Sequence, residues 1–326
     1  MTGRVLERVV LDWDVDPVLA VCLCASAATY LAAARHTRSW PARRTAAFLA
    51  GLCVLAVALG SGLHRHGEEL LSVHMAQHLV ILLAVAPLLM LGQPLGLALR
   101  ALPRGARRDL AGALRGRVVR TAVHPAVALL VFSTVVVASH APPIYEAALG
   151  SEALHALEHA AYLWAAVLLW AAVLGSVPGA RRPSPLVRVL LLPAAMPPMA
   201  ALGVGLTSAD RVVYSPYADT AARWGASALA DQRAGAALMW IGGSLALVAL
   251  TIAVAASALR REEARAVARE RYAKPPGIAR PSIAARGEEL GLRGAGGPSG
   301  LMRAYEEKVQ THPRESRTGV AGGPPP

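Results

Sequence analysis

The chain has 326 residues, of which 55% are hydrophobic and only 17% are charged. Soluble globular domains contain about 45–50% apolar and about 25% charged residues, and here the apolar excess lies in long uninterrupted runs. This composition excludes a disordered protein and argues against a soluble enzyme. Three cysteines are too few for a disulfide scaffold or for a zinc site built only from thiolates.

Seven apolar runs are long enough to span a membrane, which requires about 20 residues to cross roughly 30 Å of hydrocarbon. None of them contains Lys or Arg except for Arg188, near one end. Backbone groups in lipid must bond within their own segment, so the runs predict helices. The predicted fold class is all-α, a polytopic bundle of seven transmembrane helices. The predicted spans are 17–34, 45–63, 73–99, 122–139, 153–177, 186–207 and 234–259.

The distribution of the basic residues predicts the orientation of the bundle. If the connections alternate between compartments, 27 of the 33 Lys and Arg residues fall on one side and 6 on the other. Basic residues concentrate in cytoplasmic loops, which predicts an outer N-terminus and a cytoplasmic C-terminus. The net charge of +12 is therefore explained without nucleic acid, and the basic residues are expected to contact anionic membrane lipid.

Three regions follow from this pattern. Residues 1–16 carry four acidic residues before the first apolar run and are a poor signal peptide, so we expect a retained outer arm. Residues 17–259 form the transmembrane domain. Residues 260–326 form a basic cytoplasmic tail, in which 260–274 extend the last helix and the Gly- and Pro-rich remainder is too polar to order itself.

Histidines at helical spacing predict a metal site at the outer ends of the helices. His74 and His78 are four residues apart and share one face of the third helix, and His155 and His159 repeat this spacing on the fifth. Imidazoles one turn apart can share a metal ion. His140, at the outer end of the fourth helix, is a candidate fifth ligand. The other interpretation of these residues is hydrogen bonding between helices.

Softer donors and one carboxylate lie nearby in the sequence. Glu158 is a candidate ligand or an acceptor that fixes a histidine tautomer. Met75 and Met239 offer thioethers, and imidazole combined with thioether favours copper, Cu(I) in particular; packing is the other interpretation of Met75. Met196 and Met199 stand among prolines that predict a kink of the sixth helix.

Two further histidines are not expected to be ligands. His64 and His66 are two residues apart, so they cannot share a helix face. We expect them to be solvated residues of a loop, and we expect their substitution by alanine to be nearly silent.

Six motifs in a fixed order resemble the CtaG-type cytochrome c oxidase assembly factors, which are bacterial plasma-membrane proteins with about seven helices. The resemblance covers roughly residues 17–260, and the tail lies outside it. The motifs are VHMAQHL at 73–79, SHAPPIYEAA at 139–148, LHALEH at 154–159, AMPPM at 195–199, YSPY at 214–217 and ADQRAGAALMW at 230–240.

The resemblance implies a non-enzymatic role in maturing a haem–copper oxidase in the plasma membrane, by handling copper at the outer face. It implies oxidase subunits as partners and copper chaperones as candidate donors. It carries over the histidines and Glu158, Met75 and Met239, and adds Gln77 and Asp231 as metal ligands or supporting groups. The family often has tryptophan where this chain has Ser139, a change that removes no ligand.

Three other functions are compatible with a histidine-rich membrane bundle. A haem-bearing electron carrier would use two of the histidines as axial ligands, although such ligands normally come from different helices. A di-iron hydroxylase would need a larger ligand set. A scaffold for an oxidase subunit would need no metal.

The predicted orientation is tested with reporter fusions. A reporter at the C-terminus should be cytoplasmic, and one inserted in the 140–152 connection should be external, because the basic residues mark the cytoplasmic side. Activity assays of alkaline phosphatase and green fluorescent protein fusions report the two sides. Cytoplasmic exposure of the 140–152 connection would reverse the orientation and move the histidines to the inner face.

Overall fold

The computed structural model describes residues 12–225 and 227–273. In these ranges the chain forms helices joined by short connections, with no strand. Contacts divide the chain into two units, Met1–Arg260 and Arg261–Pro326. The first contains the bundle, and the described part of the second is helical. The predicted disorder after residue 274 and most of the predicted outer arm lie outside the described residues.

The helices of the first half of the chain are α1 (Pro17–His36), α2 (Ala42–Gly60), α3 (Gly62–Gly67), α4 (Leu71–Val80), the π-helical segment π1 (Ile81–Val85), α5 (Ala86–Leu91), α6 (Pro94–Ala101), α7 (Arg104–Arg115), α8 (Arg117–Ala122) and α9 (Pro125–Ser139). They are followed by α10 (Pro142–Leu149), α11 (Glu152–Leu174), α12 (Pro185–Ala194), α13 (Met196–Ser208), α14 (Tyr217–Thr220), a 3₁₀ turn (Ala221–Trp224), α15 (Ala228–Ala237), π2 (Leu238–Gly242) and α16 (Gly243–Ala273).

Six helical stretches of the described chain are long and apolar enough to cross a membrane. A seventh crossing exists if α9 and α10, which are bent by 74° at their junction, count as one span. The predicted all-helical membrane fold is confirmed. The fourth predicted span, 122–139, corresponds to α9, which is long enough for a crossing only together with α10. The six stretches are Pro17–His36, Ala42–Gly60, Leu71–Ala101, Glu152–Leu174, Pro185–Ser208 and Ala228–Glu270.

Prolines cause the bend between α9 and α10. Pro142 and Pro143 follow Ala141, and a residue before proline is pushed out of the helical region. Ala141 is accordingly extended, with ψ of 125°. Helix α9 therefore ends at Ser139, and His140 stands at the break as its C-cap residue.

The boundaries of the second and of the last predicted span change in the structure. The second span ends at Gly60 rather than at residue 63, because Ser61 is extended and starts the short helix α3. The last span begins at Ala228, six residues before the predicted start. The predicted kink of the sixth span is confirmed by the break at Ala195, and the predicted helical extension after residue 260 by α16.

A side chain from another helix caps the start of α4. The carboxylate of Asp231, on α15, accepts hydrogen bonds from the backbone N–H of Ser72 at 3.3 Å and from its hydroxyl. The first N–H groups of a helix lack internal acceptors and carry partial positive charge, so a carboxylate stabilises them. Gln77 also donates to the carbonyl of Ala58 at 2.8 Å, which ties α4 to α2. Both bonds fix the turn that contains His74.

Close packing of α13 against π2 depends on Gly203. A Cβ atom added at Gly203 would lie 2.5 Å from the Cβ of Trp240, whereas one at Gly205 would meet nothing within 4 Å. Position 203 therefore requires glycine, whereas position 205 of the same helix has room for a side chain.

Gly203→Ala should destabilise the protein by roughly 1–3 kcal/mol, because the added methyl group overpacks the contact with Trp240. Gly205→Ala is the matched control and should stabilise by about 0.5–1 kcal/mol through helix propensity. Thermal unfolding of the detergent-solubilised variants measures both effects. Equal midpoints for the two variants would contradict the packing described for α13.

Candidate metal centre

The two histidine pairs lie against each other in the bundle. His74 and His78 share one face of α4, with ring centroids 4.2 Å apart, and His155 and His159 share one face of α11 at 4.4 Å. Across the helices, the rings of His74 and His155 are nearly parallel at 5.4 Å, and those of His78 and His159 lie 5.5 Å apart. The structure thus brings the four imidazoles into one continuous cluster.

The cluster and its neighbours form two groups of potential ligands. His74, His78 and Glu158 make the inner group, and the Nε2 of His74 lies 4.0 Å from the Oε2 of Glu158. The outer group consists of His64, His155 and His159. Within each group, one donor atom of every residue lies within 4.8 Å of the others, so a modest adjustment would let each group hold one ion.

Many donor atoms of the two groups have no hydrogen-bond partner among the residues that the structure describes. Both ring nitrogens of His74 and of His78 are buried without one, as are the Nε2 atoms of His155 and His159. The Oε1 atom of Glu158 is in the same state. An unsatisfied buried polar group costs about 1–3 kcal/mol, so a bound ion or water molecule would stabilise this cluster. Imidazole and carboxylate donors fit a transition-metal ion.

Glu68 supports the outer group from the solvent side. Its Oε1 lies 3.5 Å from the Nδ1 of His155, and its side chain is 54% exposed. The hydrogen bond from His155 lowers the pKa of Glu68, so the carboxylate is ionised. When Nδ1 of His155 donates to a carboxylate, its Nε2 keeps a free lone pair. This is the usual arrangement of a metal-binding histidine. Burial lowers the pKa of His64 and favours its neutral, ligating form.

The prediction that His64 and His66 are solvated loop residues is wrong. Both lie in α3, a short helix that folds against the start of α4. His64 is half-buried and stacks on His155 at 5.3 Å. His66 is buried between Asp12 at 3.1 Å and Glu69 at 3.6 Å. The two-residue spacing is consistent with these roles, because the two rings point to different partners.

Three buried tyrosines cover the inner group. The ring of Tyr145 lies 5.2 Å from that of His74 and stacks on Tyr214 at 4.0 Å. Tyr217 donates to the carbonyl of Gly67 at 2.8 Å and lies 3.0 Å from the hydroxyl of Tyr145. Burial raises the pKa of Tyr214 and Tyr217, so both hydroxyls stay protonated. The YSPY motif therefore folds over the site.

His140 lies outside both ligand groups of the described residues. Its Nδ1 is 2.7 Å from the carbonyl of Val136, and its ring is 6.2 Å from that of Tyr145. Its Nε2 is buried without a partner. The structure therefore places His140 beside the cluster rather than across its top.

The remaining predicted site residues support the centre from different positions. Met75 is buried next to His74 on α4, and Met239 is buried in π2. The amide of Gln77 lies 3.3 Å from the Nδ1 of His64 as well as bonding Ala58. Asp231 caps α4 and so acts on the position of the helix.

Sequence reasoning missed several residues of the site. His64 and Glu68 belong to it, and Tyr214 and Tyr217 cover it. Their signal was the YSPY motif and the concentration of histidine and glutamate before the third span. Which of these side chains turn inward depends on the fold of α3 and of the 209–217 connection.

The fold and the site define a polytopic α-helical membrane protein with a buried histidine centre near one end of its bundle. A sequence model of the cytochrome c oxidase caa3 assembly factors (CtaG) matches residues 27–261. The chain belongs to this family.

Curated relatives are found in mycobacteria. The chain is 30% identical over 280 residues to an uncharacterized protein of Mycobacterium bovis and to one of Mycobacterium tuberculosis, covering 82% of this chain and 42% of each relative. An uncharacterized protein of Mycobacterium leprae is 29% identical over 247 residues, covering 73% and 38%. The chain thus spans about two fifths of the length of these relatives. No solved structure matches it.

Tyr217→Phe should destabilise the cover over the site by about 1–3 kcal/mol, because the buried carbonyl of Gly67 loses its donor. Tyr145→Phe should cost less, since Tyr217 keeps its bond to Gly67 in that variant. Thermal unfolding and limited proteolysis of the 209–225 connection compare the two. A larger loss for Tyr145→Phe would contradict the direction of the hydrogen bonds.

Proposed function

We propose that this protein binds copper at the histidine centre and assists its insertion into cytochrome c oxidase. The family supports the assembly role, and the histidine centre supports the part played by a metal. The copper ion is cargo rather than a resident catalyst, so the function is non-enzymatic. The partners are oxidase subunits, with a copper chaperone as donor, and the site is at the outer face of the bacterial plasma membrane.

The observation that carries the proposal is the set of buried imidazole nitrogens with no partner in the described part of the chain. Those of His74, His78, His155 and His159 come from two neighbouring helices and converge on one place. A structural role would give each nitrogen a hydrogen bond to a neighbouring helix, as most buried polar groups have. A metal ion supplies the missing partner for several of them together.

Copper is the metal that best agrees with the donors and with the family. Imidazole binds copper, zinc, iron and nickel, and copper binds most tightly among the divalent ions. Glu68 stands at the exposed end of the outer group and Glu158 at the inner group. Their carboxylates favour entry of a cation from the solvent side, because unlike charges attract.

A haem carrier is the second candidate, and the packing of the site disfavours it. The imidazoles contact each other directly, with neighbouring ring centroids 4.2–5.5 Å apart. The cavity that adjoins His78 has a volume of about 10 Å³, close to the minimum for one water molecule. A porphyrin would have to displace several helices. The absence of a Soret band in purified protein is the corresponding check.

His78→Ala and His159→Ala should abolish copper retention and oxidase activity, because each removes one ligand from a group of three. Glu68→Gln should weaken copper binding by about 10–100-fold, the usual effect of losing a group that orients a ligand, and Glu158→Gln should give an intermediate loss. Copper content of purified protein and oxidase activity of the membranes measure these effects. His64→Ala should now reduce copper content, contrary to the expectation from sequence.

Two variants serve as controls. Glu69→Gln alters the neighbouring carboxylate, which accepts from Trp224 at 2.7 Å, and should leave copper content unchanged. His36→Ala alters an exposed histidine of α1. Immunoblots of the membranes establish equal protein levels. Active oxidase in the His78 and His159 variants, or wild-type protein without metal from copper-replete cells, would overturn the proposal and favour a metal-free scaffold.

A further inference from the structure

A small cavity adjoins the histidine centre. It is bordered by Met75 and His78 on α4, by Leu82 in π1 and by Tyr162 on α11. A helix rises about 1.5 Å per residue, so this lining begins next to His74 and ends roughly 12 Å further along the helix at Leu82. Its volume is about 10 Å³, which is enough for one ion or one water molecule.

Three methionines from three segments line this cavity. Met75 comes from α4, Met199 from α13 and Met239 from π2, and all three are at most 3% exposed. Buried methionine most often fills space in a core. Here, however, three of the five methionines of the described residues border one cavity together with His140, whose Nε2 is buried without a partner among the described residues. This combination is the observation that packing alone leaves unexplained.

The unpartnered nitrogen is the Nε2 of His140. The carbonyl of Val136 lies 2.7 Å from Nδ1 and can only accept, so Nδ1 carries the hydrogen. Nε2 therefore presents its lone pair, and it is buried without a partner. A backbone carbonyl on one ring nitrogen and a free lone pair on the other is the arrangement found in metal-binding histidines. His140 is 5% exposed and borders the cavity.

The backbone around the cavity is specialised at two places. Met239 lies in the π-helical segment π2, and Leu82, opposite, lies in π1. Single π-helical turns are rare in proteins, and those that occur are often found at functional sites. Gly243 leaves room for one of the thioethers, since a Cβ atom there would lie 2.9 Å from the terminal methyl carbon of Met199. The positions of Met199 and Met239 are therefore set by backbone features and not only by the filling of a gap.

We propose that this cavity is a second metal subsite, which holds one Cu(I) ion through Met75, Met199, Met239 and the Nε2 of His140. Thioethers are soft, neutral ligands that select Cu(I) over harder ions such as Mg²⁺ and Ca²⁺. No carboxylate borders this cavity in the described residues, which disfavours a divalent ion in an apolar setting. The subsite therefore differs from the histidine centre, which contains Glu158.

The subsite deepens the proposed function and rests on it, because copper reaches the sulfur ligands past the histidine centre. His78 borders both places and is the group shared between them. The ion is Cu(I) at both places on this path, so no electron is transferred, and imidazole as well as thioether binds copper. The chain would then carry Cu(I) in two successive environments, with nitrogen ligands outside and sulfur ligands inside.

The test is X-ray absorption spectroscopy of the purified full-length protein in detergent, loaded with Cu(I) under a reductant. The three exposed cysteines, Cys22, Cys24 and Cys53, are first replaced by alanine so that every sulfur ligand is a thioether. The cysteine-free protein should show sulfur as well as nitrogen ligands. Met199→Leu combined with Met239→Leu should remove the sulfur contribution, and this exchange nearly conserves volume.

Met90→Leu is the matched control, because Met90 is also buried but does not border the cavity. It should keep the sulfur signal. Nitrogen ligands alone in the cysteine-free protein, or sulfur ligands that persist in the double variant, would overturn the subsite and leave the histidine centre untouched. The double variant with His155→Ala and His159→Ala tests the histidine centre separately from the sulfur subsite. Sulfur ligation retained there, with oxidase activity intact, would remove the proposed function of the histidine centre but not the sulfur subsite.

Discussion

Backbone groups that leave the helical pattern inside an apolar bundle must find partners within the protein. The helices of this chain break near the histidine centre, and buried polar side chains satisfy the freed groups. Asp231 bonds the first turn of α4, Tyr217 the carbonyl of Gly67, and Tyr214 the carbonyl of His140 at 3.0 Å. The same hydrogen bonds fix the helix ends that carry the candidate ligands. The stability of these helix ends and the geometry of the histidine centre therefore depend on the same side chains.

The donor atoms of the two proposed sites differ in a way that follows from their surroundings. The histidine centre combines imidazoles with the exposed Glu68 and the buried Glu158. The cavity beside it is bordered by three methionines and by His140, and no carboxylate of the described residues borders it. An apolar interior penalises unpaired charge, so a monovalent ion with neutral ligands is the form of copper that such an interior tolerates best.

The sequence predicted the helical class and the two i,i+4 histidine pairs, because both depend on local spacing. It could not predict the positions of His64 and His66, since these depend on a six-residue helix, α3, that packs against α4. The bend after His140 had a visible cause in Pro142 and Pro143, but hydrophobicity alone ended the span at residue 139 and did not predict that α10 continues it at an angle. In the sequence, Met199 was interpreted only as part of a proline-rich kink in the sixth helix. Its role at the cavity depends on π2 and Gly243, whose contacts with it are long-range in the sequence.

The hydroxyl groups of Tyr214 and Tyr217 bond to backbone carbonyls and not to histidine nitrogens. Opening of this cover would therefore leave every ligand of the centre in place. If the centre binds an ion as proposed, opening of the tyrosine cover would set the rate at which the ion enters or leaves, whereas the imidazoles would set its equilibrium affinity. Such a carrier would hold its ion for a long residence time and still release it quickly when a docking partner displaces the tyrosine segment.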